Sequence, residues 1–142
     1  MPEYLLELYV SRADAYLAAG DGRSIREAAE ELLALCRQRD LGVMAIKAVA
    51  RRPWSDGRSM GDPERWASSW YEPAASDEEL DRGVNFALST PGVHAFCTPG
   101  DIGLLPRVLN SVDRLIPLTA AQRQDAVDAM ASEELIFPMS SA

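Results

Sequence analysis

The spacing of apolar residues predicts five helices in this chain. The clearest in the first half of the chain covers residues 25–38, where apolar side chains recur every three to four positions. Ser76 and Thr119 each precede a glutamate or a glutamine by three residues, a capping-box pattern that predicts a helix start at both positions. Helical spacing also predicts the two remaining helices, over residues 3–18 and 104–112.

Two short apolar runs predict strands at about residues 43–47 and 93–97. Each run is continuous rather than alternating and is bounded by turn residues, which is typical of strands buried on both faces of a parallel sheet. The connection between the runs is long enough for a crossover that contains a helix. The pattern as a whole indicates an α/β fold dominated by helices.

Residues 50–73 show little periodicity and contain all three tryptophans of the chain. A stretch of this length without regular structure is uncommon unless it has a function or is incompletely ordered. In one interpretation it is a flap with an aromatic lining, in which Arg51 and Arg52 face a phosphate group. In the other, the tryptophans pack onto the domain and the two arginines are solvated.

The stretch from Thr90 to Asn110 predicts a strand, a glycine turn and the start of a helix. Pro-Gly pairs at 91–92 and 99–100 bound the apolar run. Backbone N–H groups at such a helix start can hold a phosphate. Turns of this kind also occur as simple connections, so the local pattern leaves both interpretations open.

Composition narrows the classes of partner. The chain has 142 residues, enough for one domain, and its 47% hydrophobic and 25% charged residues are typical of a globular protein. A net charge of −8 argues against nucleic acid or an anionic membrane as partner, because both require clustered Lys and Arg. The chain has no basic leader and no apolar run long enough to span a bilayer, so we expect a cytoplasmic protein.

The cysteines and the histidine do not form a metal-binding pattern. Cys36 and Cys97 are far apart in sequence, and His94 is the one imidazole in the chain. A zinc site of the usual spacing is therefore excluded, and no metal is predicted. We expect both cysteines to be buried as small hydrophobic residues.

Several segments resemble the C-terminal portion of aldo/keto reductases. They are residues 42–51 (GVMAIKAVAR), 70–73 (WYEP), 86–93 (FALSTPGV) and 99–110 (PGDIGLLPRVLN), and their order and spacing carry the resemblance over roughly residues 26–138. The resemblance implies a partial (β/α)8 TIM barrel, in which the two short parallel strands are the last two of the barrel. Residues 1–24 do not resemble the family, so the chain divides into 1–24 and a barrel-like portion, 25–142.

The resemblance also implies a cofactor, NADP, and a part of its binding edge. The implied residues are Lys47, Thr98, Pro99, Gly100, Asp101, Arg107 and Asn110. The turn at 98–101 is similar to the family's loop for pyrophosphate and ribose, and Asn110 to its adenine-contacting asparagine. Lys47 matches the loop beside the nicotinamide and pyrophosphate, and Arg107 is a candidate for a 2′-phosphate. Alternatively, Asn110 is a solvated helix residue and Lys47 pairs with a carboxylate.

The catalytic residues of the family do not appear in the resemblance. Family catalysis depends on an Asp, a Tyr, a Lys and a His from the first half of the barrel, and no part of this sequence matches that half. The expectation is a truncated or split NADP-dependent aldo/keto reductase, an oxidoreductase that is inactive alone and binds NADP weakly or not at all. Its expected partner is the missing N-terminal half or a second copy of itself. The alternatives are a non-catalytic helical interaction module derived from the barrel and an unrelated small α/β domain.

Overall fold

The computed structural model describes residues 25–54, 66, 68–130 and 132–133. In chain order the elements are α1 (Ile25–Gln38), β1 (Met44–Ala45), β2 (Ala50–Arg52), β3 (Glu72–Pro73), α2 (Asp77–Ser89), β4 (Ala95–Phe96), α3 (Leu105–Asp113) and α4 (Ala120–Asp128). This part of the chain is a mixed α/β structure dominated by helices. The predicted helix over 3–18 lies outside the described residues.

Three of the four described helices begin where local residues favour a helix start. The Ser76 hydroxyl accepts a hydrogen bond from the Glu79 N–H (3.1 Å) at the start of α2. Thr119 and Gln122 form a reciprocal capping box at the start of α4. Pro106 lies in the first turn of α3, where its missing N–H leaves no helical bond unmade. None of the described helices combines the length and the apolar character that crossing a membrane would require.

The predicted pairing of the two apolar runs is confirmed. β1 and β4 are parallel, with Met44 opposite Ala95 and Ala45 opposite Phe96. A second pair, β2 and β3, is antiparallel and has an irregular register, with Arg52 opposite Glu72. The sequence did not predict this second pair. Among the described residues the two pairs remain separate sheets and do not close into a barrel.

The core lies where α2 packs against α3 and the turns that follow the strands. Its buried members are Val49, Ala74, Leu80, Val84 and Val108. α2 also approaches the backbone closely, because a Cβ at Gly83 would overlap the carbonyl oxygen of Ala48. The helix is therefore held directly against the chain that leaves β1.

The prediction that both faces of the strands are buried is wrong for one face. Met44 is 47% exposed and Ile46 is 39% exposed. Cys97, which we expected to be buried, is exposed, whereas Cys36 is buried as expected. Phe96 packs against the core, so the pair is covered on the core side, but no described element covers the side that carries Met44. Burial on both faces requires packed elements on both sides of the strands, and the described residues provide them on one side.

Candidate functional site

The candidate site lies at the carboxyl ends of the parallel strands β1 and β4. The Cys97 N–H donates to the Ala45 carbonyl (2.8 Å), so the chain leaves both strands at the same level. Lys47 follows one strand and the turn at 98–101 follows the other. The strand pairing therefore brings these two groups of predicted residues to one edge.

Lys47 occupies an unusual backbone conformation at this edge. Its φ angle is +64°, in the left-handed region that residues other than glycine seldom adopt. Its carbonyl accepts from the Ala50 N–H (3.0 Å), which closes a tight turn between β1 and β2. Such a conformation is maintained only where the surrounding structure enforces it. Here the turn and the packing of the Lys47 side chain provide that constraint.

The Lys47 ammonium group lies against two aromatic rings. Its Nζ is 3.9 Å from the centroid of the Trp70 ring and 4.5 Å from that of Tyr71. The rings meet edge to face, with their centroids 5.6 Å apart. Tyr71 is buried and Trp70 is 46% exposed, so the cation is held by aromatic faces while one ring remains open to a ligand.

Burial shifts the pKa values of Lys47 and Tyr71. Desolvation lowers the pKa of Lys47, and the nearby charge of Cys97 acts in the opposite direction. Desolvation raises the pKa of the Tyr71 phenol. The site therefore presents a cation on an aromatic surface beside a neutral phenol, which suits binding of an anion that also has a flat ring.

The turn at 98–101 is fixed by Asp101. This residue is 7% exposed, and its carboxylate accepts from the Ser68 N–H and the Gly103 N–H, both at 2.9 Å. Pro99 is buried, and Thr98 and Gly100 are exposed. Asp101 thus connects this turn to the segment that carries Trp70, and it acts here as a positioning residue.

Arg107 and Asn110 lie on α3, beyond the turn. The Arg107 guanidinium forms an ion pair with Asp77 (2.8 Å) at the start of α2 and donates to the Ala75 carbonyl (3.4 Å). Asn110 is exposed and lies one helical turn further along the same face of α3. The predicted cofactor-binding residues therefore form two groups. Lys47 and the turn at 98–101 lie at the strand ends, whereas Arg107 and Asn110 lie on α3, where Arg107 already has an anionic partner.

Arg51 and Arg52 are occupied by carboxylates. The Nη2 atom of Arg51 lies 2.9 Å from Glu133, and the Nε atom of Arg52 lies 3.0 Å from Glu72. Longer contacts of 3.6 and 3.7 Å connect the two pairs into one network. The two sequence interpretations, phosphate contact or solvation, both omitted this ion-pair network.

Sequence reasoning missed the aromatic partners of Lys47. Trp70 and Tyr71 were noted as part of an aromatic stretch, but no local pattern connects them with a lysine more than twenty positions earlier. His94 lies at the other end of the pair, where its Nδ1 accepts from the Val43 N–H (3.1 Å). Among the residues that the structure describes, no group of three His, Cys, Asp or Glu side chains could hold a metal ion.

No protein-family model matches this sequence, and neither the curated proteins nor the solved structures gave a significant match.

Proposed function

We propose that this chain is the C-terminal portion of an aldo/keto-reductase-like (β/α)8 barrel and that it carries part of an NADP-binding edge. The observation that supports this most directly is the parallel pairing of β1 with β4 across a connection that includes α2. That arrangement is a unit of such a barrel. It puts Lys47 and the turn at 98–101 at the carboxyl ends of the strands, where barrels of this class build their sites.

The proposed cofactor contacts follow from the geometry of the edge. The Lys47 ammonium supplies a positive charge for a pyrophosphate, and the exposed face of Trp70 suits contact with a flat ring. Thr98 and Gly100 are exposed at this edge, so the proposed phosphate contact is with this part of the turn. The N–H groups of Gly103, Leu104 and Leu105 at the start of α3 already donate to oxygens of Asp101 and Ile102.

Binding by this chain alone should be weak. The Arg107 guanidinium is paired with Asp77, so a 2′-phosphate would have to displace a carboxylate that is already in contact. The strand pair also leaves Met44 and Ile46 exposed, so one side of the edge is open to water. Electrostatic contacts lose most of their strength where water remains in the site.

The chain should not reduce carbonyl groups by itself. Hydride transfer requires the nicotinamide and the substrate to be held together in a site that excludes water. The open strand pair cannot enclose them, and no residue among those described is proposed as catalytic. The proposed partner is the remainder of the barrel, whose strands would cover the exposed face of β1, or a second copy of this chain in its place.

The test is titration of the isolated chain with NADPH, followed by cofactor fluorescence. Gly100→Glu adds a negative charge to the turn without a steric conflict, because a Cβ there would meet only the Ser68 oxygen, at 3.5 Å. Gly42→Glu is the matched control, since a Cβ at Gly42 has nothing within 4 Å and the residue precedes β1. We expect weak saturable binding that Gly100→Glu abolishes and Gly42→Glu preserves.

Two results would contradict the proposal. One is identical NADPH binding, or identical absence of it, in the wild type and both glycine variants. The other is turnover of a reactive aldehyde above background with NADPH, which would mean that the chain holds catalytic groups that the proposal denies it.

The second candidate is a non-catalytic interaction module. The exposure of Met44 (47%) and Ile46 (39%) on the uncovered side of β1 favours it, because adjacent exposed apolar side chains are characteristic of docking surfaces. A monomer that melts sharply and whose melting temperature does not change with NADPH would favour this candidate over the first.

A further inference from the structure

A cleft of about 1050 Å³ lies between α1, α2, α4 and the chain that runs from β1 into β2. Its walls are mainly apolar, and several of the residues that form them are buried: Leu33, Cys36, Val49, Ala87 and Ala126. Sites for small molecules commonly have volumes of about 300–1,000 Å³ and few polar groups. The volume of the cleft lies just above that range.

One charged group in the cleft wall has no partner among the described residues. The charged residues that line the cleft are Lys47, Arg51, Glu79, Arg82 and Glu133. Lys47 contacts aromatic rings, and Arg51 and Glu133 are paired with each other. The Glu79 carboxylate accepts from the Ala75 N–H (2.8 Å). Arg82 is partly buried on α2 and makes no hydrogen bond or ion pair with any described residue.

Arg82 is partly buried and its guanidinium has no anion partner among the described residues, and the cleft walls leave apolar surface uncovered. A ligand that brings an anion to Arg82 and an apolar portion to the rest of the cleft would remove both disadvantages. Carboxylates suit a guanidinium particularly well, since they can accept two parallel N–H hydrogen bonds. The chemistry of the cleft therefore matches an amphipathic molecule with one anionic end.

We propose that the cleft binds a long-chain carboxylate, with its carboxylate group on Arg82 and its hydrocarbon chain along the apolar walls. The cleft wall includes Lys47 of the proposed cofactor edge, but the carboxylate contact is assigned to Arg82 and does not depend on NADP binding. Glu79 lies one helical turn before Arg82 and disfavours an anion at the amino-terminal end of α2, so the carboxylate should lie on the Arg82 side.

The dimensions of the cleft favour a narrow ligand over a helix from a protein partner. A helix with its side chains is about 10 Å across, so a cylinder of that width would fill the cleft within about 13 Å, or roughly nine residues. Isolated helices of that length are marginal in water. A single hydrocarbon chain is thinner and can follow an irregular groove without any cost of folding.

The experiment uses the intact chain, with dodecanoate and dodecanol as probes in isothermal titration calorimetry. The two probes share a chain length and differ in charge, so their comparison isolates the contribution of the cation. We expect dodecanoate to bind at least ten times more tightly than dodecanol. Arg82→Met should remove that difference, whereas Arg39→Met, the same change at an exposed position outside the cleft wall, should preserve it.

Cys36 provides an independent readout, because it is buried in the cleft wall. In a Cys97→Ser background, saturating dodecanoate should slow alkylation of Cys36 at least fivefold. This measurement remains informative if Arg82→Met does not fold. Equal binding of the two probes, or alkylation unchanged by dodecanoate, would overturn the proposal. So would a concentration-dependent dimer that Arg82→Met dissociates, since a second copy would then occupy the cleft.

Discussion

Asp101 offers the sharpest test of how the candidate site is held together. Its carboxylate accepts from the Ser68 N–H and the Gly103 N–H, each at 2.9 Å, and the residue is 7% exposed. Asp101→Ala removes both acceptors at once. Each buried N–H that loses its partner costs about 1–3 kcal/mol. Because the two bonds are only partly buried, we take the lower end and expect unfolding to require about 2 kcal/mol less free energy.

The assay is urea denaturation followed by circular dichroism, with Asp113→Ala as the control. Asp113 is an exposed residue of α3, so its replacement should change the free energy of unfolding by less than about 0.5 kcal/mol. Asp101→Asn retains one acceptor oxygen and should lose about half as much as Asp101→Ala. If Asp101→Ala is no more destabilising than Asp113→Ala, the N–H groups of Ser68 and Gly103 have other acceptors and Asp101 does not hold the turn.

Three further predictions concern close packing, titration and the arginine network. Gly83→Ala should lower the free energy of unfolding by about 1–3 kcal/mol, because its Cβ would overlap the Ala48 oxygen; a gain of about 1 kcal/mol, the ordinary helix preference, would refute the close approach. The 13Cε signal of Lys47 should titrate below the ordinary pKa of 10.5. Because the Lys47 ammonium keeps its proton to higher pH in the unfolded chain than in the folded one, the free energy of unfolding should rise with pH just below 10.5. A titration midpoint of Lys47 at or above 10.5 would contradict this. Glu133→Ala should cost about 1 kcal/mol in dilute buffer and less in 1 M NaCl, measured by urea denaturation; an effect independent of salt would show that its ion pair with Arg51 contributes little.

The helices could be predicted because their signals are local. Ser76 and Thr119 lie three residues before the side chains and N–H groups that complete their caps, so adjacent sequence contains both partners. Pro106 restricts α3 in the same way, since it is tolerated only near a helix start. The parallel strand pair was predictable from two apolar runs and the length between them.

The second strand pair and the burial of the first were not accessible in this way. β2 and β3 have three residues and two residues, too few to establish a period of two. One of their two facing pairs, Arg52 opposite Glu72, is charged rather than apolar. The exposure of Met44 and Cys97 depends on whether another layer covers them. An apolar run predicts that a segment tends to be buried, but it does not show which other element covers that segment.

Part of the candidate site could be predicted, and the part that was missed depends on tertiary contacts. Lys47 and the turn at 98–101 were chosen from their order along the chain, and strand pairing brings them to one edge. The contact of Lys47 with Trp70 requires two distant segments to meet. Likewise, nothing local to Arg107 indicates that Asp77 will be its partner.

The parallel strand pair has a consequence for the order in which the chain folds. Val43 and His94 are 51 positions apart, and closing a loop of that length costs about 3.5 kcal/mol of chain entropy beyond a constant. A few backbone hydrogen bonds, each contributing about 1 kcal/mol, cannot offset this before the intervening chain is ordered. α2 and α3 are close in sequence and can dock early, whereas β1 must wait for them. The hydrogen bonds between β1 and β4 should therefore be among the last contacts to form, after α2 and α3 have docked.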